Sequence, residues 1–308
     1  MRTVTHQRSN CYDIVMISVC YDVKDTDVPI LIRNATAIAA HGQFVIVDNG
    51  PSGSLPSDIA ELIAPDNPAR VTVVPYRGNR GFGVSSNVGL AGETATPFIL
   101  FVNPDAEISA GMIEALLATF AGSPMLGIIS PSLTDRTGAI VESGGSFPTI
   151  LRLALGKFRR PPRLARNASR LIDPLGSDLH LPVDWVSGAV MMVRREVWEA
   201  TSGFCPSFFL YYEDIALCRR VRAAGWEVGI VPGATAIHES GGSQWRPGTR
   251  TRVERIYFES QAYYFRKHYG RLMEWVLRAV RFPYLATSLR RRFLERYGVR
   301  IRVVNDPA

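Results

Sequence analysis

Along this chain the apolar residues fall into short unbroken runs, each stopping at a polar turn. Asp13 to Tyr21 (D-I-V-M-I-S-V-C-Y), Phe44 to Val47, Arg70 to Pro75, Phe98 to Val102, Gly127 to Ser130, Trp226 to Val231 and Ala234 to Ile237 are the clearest. Runs this short, without polar alternation, predict strands covered on both faces, as in a parallel sheet with helices above and below. Between them the pattern changes to helical spacing. Leu31, Ala35 and Ile38 share one face of a helix predicted over Val28 to Ala40, with Asp27 as cap, Pro29 in the first turn and Gly42 ending it. A short helix is predicted near Ser57 to Ile63, and Ser109 caps another that turns Ile113, Leu116, Leu117 and Phe120 inward. Asp135 to Gly138 reads as a hairpin tip. Val183 to Val193 reads as a strand broken at Gly188, where backbone or ligand can approach, and helices follow from Arg194 and from Glu213. Strand, helix, strand in this order predicts an α/β fold with right-handed crossovers.

Composition narrows the setting. The 308 residues are 46% hydrophobic, enough for one large core or two modest ones. Met1 to Asn10 is polar, and Ile14 to Tyr21 is far shorter than the roughly 20 residues that span a bilayer, so we expect a cytoplasmic protein. Cys11, Cys20, Cys205 and Cys218 show no C-x-x-C spacing and lie in or beside apolar segments, which predicts buried free thiols.

The net charge of +7 is concentrated at one end. From Arg250 to Arg302 there are 14 Lys and Arg against four Glu, a local +10 that leaves the rest at −3. We therefore expect a body over 1–243, with halves near 11–108 and 109–243, and a basic amphipathic helical extension over 244–308. In that extension arginines interleave with Trp275, Val276, Leu277, Phe282 and Leu285, a pattern that suits an anionic membrane surface better than nucleic acid. Leu151 to Arg170 is basic and interrupted by proline without periodicity, and reads as a mobile loop over the site.

Candidate chemistry gathers where strands end, because ligands of open α/β sheets lie outside the carboxyl ends of the strands. Phe98 to Val102 stops at Asn103-Pro104-Asp105, two metal-capable oxygen side chains or a capped turn. Asp48, just past the second strand, fits either a ribose or base contact or a plain Asp-Asn-Gly turn. Glycines at 78, 81 and 83, with Arg77 and Arg80, open a helix as a loop able to approach a phosphate, although it is neither a G-x-G-x-x-G fingerprint nor a Walker loop. Glu213 and Asp214 follow the aromatic run Phe208 to Tyr212, where they can favour the positive helix end or activate a hydroxyl. His238 closes a strand beside Gly241 and Gly242, as a core residue or as a ligand.

Taken together and in order, these motifs resemble the family 2 glycosyltransferases of the GT-A fold, particularly bacterial rhamnosyltransferase-like members. The likeness spans roughly Ile14 to Ser243 and rests on V-C-Y, V-D-N-G-P-S, G-N-R-G-F-G-V-S-S-N-V-G, V-N-P-D, W-V-S-G-A-V-M-M-V-R-R, Y-Y-E-D-I-A-L-C-R-R-V-R-A-A-G-W and I-H. It implies a mixed, mostly parallel sheet flanked by helices, and inverting transfer of a sugar, with L-rhamnose the family's suggestion, from a nucleoside diphosphate sugar to an acceptor hydroxyl. The acceptor would be a polyprenyl-linked or cell-envelope glycan, and the enzyme would sit peripherally at the inner face of the membrane.

By the same resemblance, Tyr21, Asp48, Asn79, Gly81, Asn87, Asn103 and Asp105 would hold the donor. Asp105 and His238 would ligate Mg2+ or Mn2+, and Asp214 would be the general base. Trp185, Gly188, Tyr212 and Glu213 would line the acceptor site. Many members carry Asp where this chain has Asn103, whose amide oxygen can ligate with less charge. The rival readings are a sugar nucleotidyltransferase using the same nucleotide-binding half, and a basic membrane- or nucleic-acid-binding scaffold with an inactive fold of this type.

Overall fold

The computed structural model describes residues 13–21, 23, 26–50, 55, 59–63, 70–76, 78–92, 96–154, 179–239 and 250–281. Cys11, Arg77, Gly241, Gly242, Phe282, Leu285, most of the loop expected over Leu151 to Arg170 and the end of the basic extension lie outside them. The first half runs β1 (Ile14–Cys20), α1 (Val28–Ile38), β2 (Gly42–Asp48), α2 (Ile59–Ile63), β3 (Val71–Pro75), α3 (Phe82–Leu90) and β4 (Phe98–Val102). Next come β5 (Ala106–Glu107), α4 (Ala110–Gly122), β6 (Leu126–Thr134), β7 (Gly144–Gly145) and α5 (Ile150–Ala154). The rest is β8 (Leu181–Pro182), β9 (Trp185–Val186), β10 (Val190–Arg194), α6 (Arg195–Ala200), α7 (Glu213–Ala223), β11 (Glu227–His238), α8 (Arg250–Tyr269) and a helix α9 over 271–281.

The main sheet has the order β3-β2-β1-β4-β10-β6-β11-β5, with β8 beside β11. It is mixed and mostly parallel, as the unbroken apolar runs predict: β1 pairs in parallel with both β2 and β4, and only β10, β5 and β8 run against their neighbours. Alternate residues of each strand enter opposite cores. Val15, Ile17 and Val19 meet α3, α6, α7 and α8 on one face, and Ile14, Met16 and Cys20 meet α1, α2 and α4 on the other. A strand covered twice has no polar face to alternate, which is why these runs read as continuous. Cys20, Cys205 and Cys218 are free, buried thiols, as their apolar surroundings predict.

Several local expectations change. Asp27 occupies the cap position of α1, but its side chain accepts none of the first-turn N–H groups. Gly42 does not end that helix; it opens β2, where a Cβ would lie 2.0 Å from the Ile14 carbonyl oxygen. Ser109 caps α4 as predicted, accepting from Met112 N at 3.2 Å. Leu151 to Ala154 belong to the short helix α5 rather than to a loop. The two strands expected over Trp226 to Ile237 are one, β11, whose pairing with β6 slips between Val231 and Thr235 and so absorbs Pro232 and Gly233 as an irregularity.

The C-terminal helices are not a loose appendage among the described residues. Ala262, Tyr264 and Phe265 of α8 and Leu277 of α9 are buried in the same core as β1 and α7. Leu277, read from the sequence as part of a membrane-facing stripe, therefore faces the protein instead.

Candidate active site

The strand directions collect the chemistry at one edge. Because β10 runs against both β4 and β6, those two strands and β11 point the same way, and their carboxyl ends share one rim with β1 and β2. At that rim β5, immediately after Asp105, pairs antiparallel with the last residues of β11, placing Ala106 opposite His238. His238 Nε2 lies 3.6 Å from Asp105 Oδ1. That oxygen is buried and has no hydrogen-bond partner, and such a group buried alone costs about 1–3 kcal/mol. Burial pushes His238 below its ordinary range against the opposing pull of Asp105 and Glu239, so the imidazole is neutral at pH 7 with a lone pair to offer.

The base candidate stands close by, two backbone links away. Asn103 N donates to Ala189 O at 2.8 Å, and the preceding residue, Gly188, donates its N–H to Asp214 Oδ2 at 3.0 Å. A Cβ at Gly188 would sit 3.6 Å from Asp214 Cβ, so the backbone comes close there. Burial raises the Asp214 carboxyl, and hydrogen bonds from Gly188 and Ile215 hold it partly back. A raised carboxyl is the stronger base. Glu213 is more deeply sealed, at 5% exposure, with Oε2 unpartnered. Burial first and the charge of Asp214 second push it well above the carboxyl range, and it lacks the two backbone N–H donors that Asp214 receives from Gly188 and Ile215.

The residues expected to hold the nucleotide include a second group. Asp48 Oδ1 accepts from Gly50 N at 3.2 Å, while Asn49 reaches across to the glycine loop, donating to Asn79 Oδ1 at 3.4 Å and accepting from Arg80 N at 3.2 Å. Asn79 adopts φ 45°, and Tyr21 is 47% exposed at the end of β1. Gly81 has φ 89°, and a Cβ there would lie 1.9 Å from Phe209 O; the next residue, Phe82, donates its N–H to that same carbonyl at 3.0 Å. This glycine lets the loop pack against the aromatic segment rather than freeing it to move. Asn87 spends both ends of its amide on the backbone of Phe204, at 2.9 and 3.0 Å, so it braces two segments from beneath the site.

Two acceptor-side candidates point inward. Trp185 is 7% exposed and donates its indole N–H to Ser146 O at 3.1 Å. Tyr212 is 2% exposed, and its hydroxyl meets Gln261 and Tyr257. Sequence reasoning passed over Asn49, although it stands inside the V-D-N-G motif, and over Gln261, which no local signal marks.

Residues 19–255 match the protein family described as Glycosyltransferase like family 2. The chain belongs to that family. The glycosyltransferase is 29% identical, over 66% of its own length and 68% of the relative's, to an N-acetylglucosaminyl-diphospho-decaprenol L-rhamnosyltransferase of Mycobacterium tuberculosis. It is 28% identical, over 82% of its length and 73% of the relative's, to the low-salt glycan biosynthesis hexosyltransferase Agl10 of Haloferax volcanii. A third relative, rhamnosyltransferase WbbL of Escherichia coli K12, is 28% identical over 52% of this chain and 61% of that protein.

Two solved structures show that the fold is GT-A. GalNAc-T7 with UDP, GalNAc and Mn2+ superposes at a TM-score of 0.55 with 12% identity, over 96% of this chain and 60% of that one. The mannosyltransferase PcManGT of Pyrobaculum calidifontis, with GDP-Man and Mn2+, gives 0.54 with 16% identity over 83% and 63%. The glycosyltransferase thus spans under two thirds of the length of either structure.

In this glycosyltransferase the turn that presents Glu213 and Asp214 is strained. Tyr211 and Tyr212 both have φ 69°, a left-handed conformation that costs non-glycine residues of order 1–3 kcal/mol each. Helix α8 holds it: Ser260 Oγ donates to Leu210 O at 2.8 Å, and Gln261 donates to the Tyr212 hydroxyl. Gln261→Ala should cost about 1–3 kcal/mol in chemical denaturation. It should also slow turnover more than it weakens nucleoside diphosphate binding if Asp214 is the base, because the helix that carries it starts from that turn.

Proposed function

We propose that this glycosyltransferase moves a hexose, L-rhamnose by analogy with the named relatives, from a nucleoside diphosphate carrier to a hydroxyl of a polyprenyl-diphosphate-linked or other cell-envelope glycan, inverting the anomeric centre. The observation that carries the reading is the short backbone path from Asn103 through Ala189 and Gly188 to Asp214, which ties that carboxylate to the end of the strand that leads to Asp105. Asp48, Asn49 and Asn79 hold the nucleoside. Asp214 takes the proton from the acceptor hydroxyl as it attacks. The acceptor oxygen forms its bond to the anomeric carbon from the face opposite the nucleoside diphosphate, whose C–O bond breaks and which departs as the leaving group, so this single displacement inverts configuration.

The residues present fit a divalent cation, since Asp105 Oδ1 is buried without a partner and a neutral His238 stands beside it. Among the described residues no group of three or more His, Cys, Asp or Glu gathers anywhere, so the rest of the coordination would fall to Asn103, donor phosphates and water. When bound, Mg2+ or Mn2+ supplies Lewis-acid neutralisation of the charge growing on the leaving diphosphate. Turnover of a panel of nucleoside diphosphate sugars, with and without Mn2+, tests the reading when the anomeric configuration of the product is assigned by NMR. Retention of configuration, or nucleotidyl transfer to a sugar phosphate, would overturn it.

We further place the enzyme at the inner face of the membrane, docked through α9 and the residues after it. No described helix is long and apolar enough to cross a membrane. Leu272 and Trp275 are each 70% exposed one turn apart, with Arg271 exposed beside them, while Leu277 anchors the opposite face in the core. Basic residues near an anionic surface contribute about 1 kcal/mol each, and the indole and leucine suit the headgroup boundary. The double variant Leu272→Asp, Trp275→Glu should lose sedimentation with phosphatidylglycerol vesicles while keeping its melting temperature. Equal sedimentation with neutral vesicles, unaffected by salt, would count against this dock.

A further inference from the structure

We propose that Glu142 is an acceptor-recognition residue, whose carboxylate binds a hydroxyl or amide N–H of the acceptor sugar adjacent to the hydroxyl that Asp214 activates. The inference rests on the reading of Asp214 as the base. The backbone brings the two acids to one wall. Val141 N donates to Leu133 O at 3.0 Å, and Leu133 N donates to Ser143 Oγ at 2.7 Å, so the residues on both sides of Glu142 are tied to the end of β6. Ser187 N donates to Ser143 O at 2.8 Å, and the next residue, Gly188, holds Asp214. Gly144 then pairs with Val186, where a side chain would strike the Trp185 carbonyl oxygen at 2.3 Å, so the two segments lie too close to slide apart.

Nothing in the described structure occupies the Glu142 carboxylate. It makes no hydrogen bond or ion pair there, and its side chain is exposed. Yet desolvation by surrounding atoms, and then the charge of Asp214, push it up to about 7. The backbone path from Ser143 through Ser187 and Gly188 sets this solvent-accessible acid on the same wall as Asp214. The other acceptor-side candidates are spent: Glu213 is sealed, Trp185 has given its N–H to Ser146, and Tyr212 is tied to α8. A carboxylate accepts hydrogen bonds from two neighbouring donors at once, which matches the paired donors on a sugar ring.

The test uses the full-length chain, the donor that supports turnover in the panel above, and N-acetylglucosaminyl diphosphate on a short polyprenyl chain as acceptor. Glu142→Ala should raise the acceptor KM by about 10-fold or more, the factor that losing one charge-assisted hydrogen bond implies. Glu142→Gln, which keeps the shape and one acceptor oxygen, should raise it less. The KM for donor, nucleoside diphosphate affinity by calorimetry and slow donor hydrolysis without acceptor should all stay at wild-type values. An acceptor KM within two-fold of wild type in both variants overturns the inference, and so does a fall in kcat alone. If the wild type transfers no sugar and Asp214→Asn changes nothing, the functional reading itself has failed. If Asp214→Asn abolishes transfer while Glu142→Ala leaves acceptor KM unchanged, only the role of Glu142 has.

Discussion

Asp214→Asn is expected to lower turnover by roughly 100- to 10,000-fold, the contribution of a positioned general base, while nucleoside diphosphate affinity stays at the wild-type level. The substitution keeps the size of the side chain. An amide oxygen can still accept from Gly188 N, the bond that ties α7 to the segment between β9 and β10 across 3.0 Å. What it loses is the ability to take a proton. Burial already disfavours the charged carboxylate, so a neutral amide fits the site with little change in stability. Calorimetric titration with the nucleoside diphosphate beside a turnover assay separates the two effects. A variant that turns over within a few-fold of wild type would move the base elsewhere. Glu213 is then the wrong place to look first, because its side chain is buried.

Asp105→Ala and His238→Ala should each weaken Mn2+ and donor binding together. Losing even an outer-shell partner costs a metal site roughly 10- to 100-fold, so losing a direct ligand should cost at least that. The apo protein should keep its melting temperature in Asp105→Ala, or gain slightly, because Asp105 Oδ1 is a buried acceptor with nothing to satisfy it. His238 gives the sharper discrimination, since its expected role was split between ligand and core residue. A metal ligand predicts altered Mn2+ titration and unchanged apo stability. A core residue predicts the reverse, and wild-type metal titration in His238→Ala would remove it from the site.

These expectations depend on different layers of information. The apolar runs at Ile14–Cys20 and Phe98–Val102 are legible as buried strands because a strand covered on both faces has no polar side to interrupt it. Ser109 is legible as a cap because its hydroxyl acts within three residues, on Met112 N. The order of motifs marks the family, since each motif is a local sequence that its own strand end or helix start requires.

The sequence by itself therefore determined the elements, the α/β class and the addresses of the acids at the strand ends. Only the tertiary structure decided which addresses meet. Asp105 faces His238 because β5 runs against β11, and β11 reaches that point only after its register slips at Pro232 and Gly233. Neither the pairing nor the slip leaves a periodic trace. Asn87 and Trp185 carry the residue types of a binding site, yet the fold spends their polar atoms on Phe204 and Ser146. The basic C-terminal stretch reads as an amphipathic surface helix, but its Leu277 and the buried residues of α8 close the core that α7 also enters. Local pattern reports which residues want a partner, whereas the choice of partner depends on contacts between residues far apart in the chain, where several pairings satisfy the same hydrophobic pattern and packing selects one.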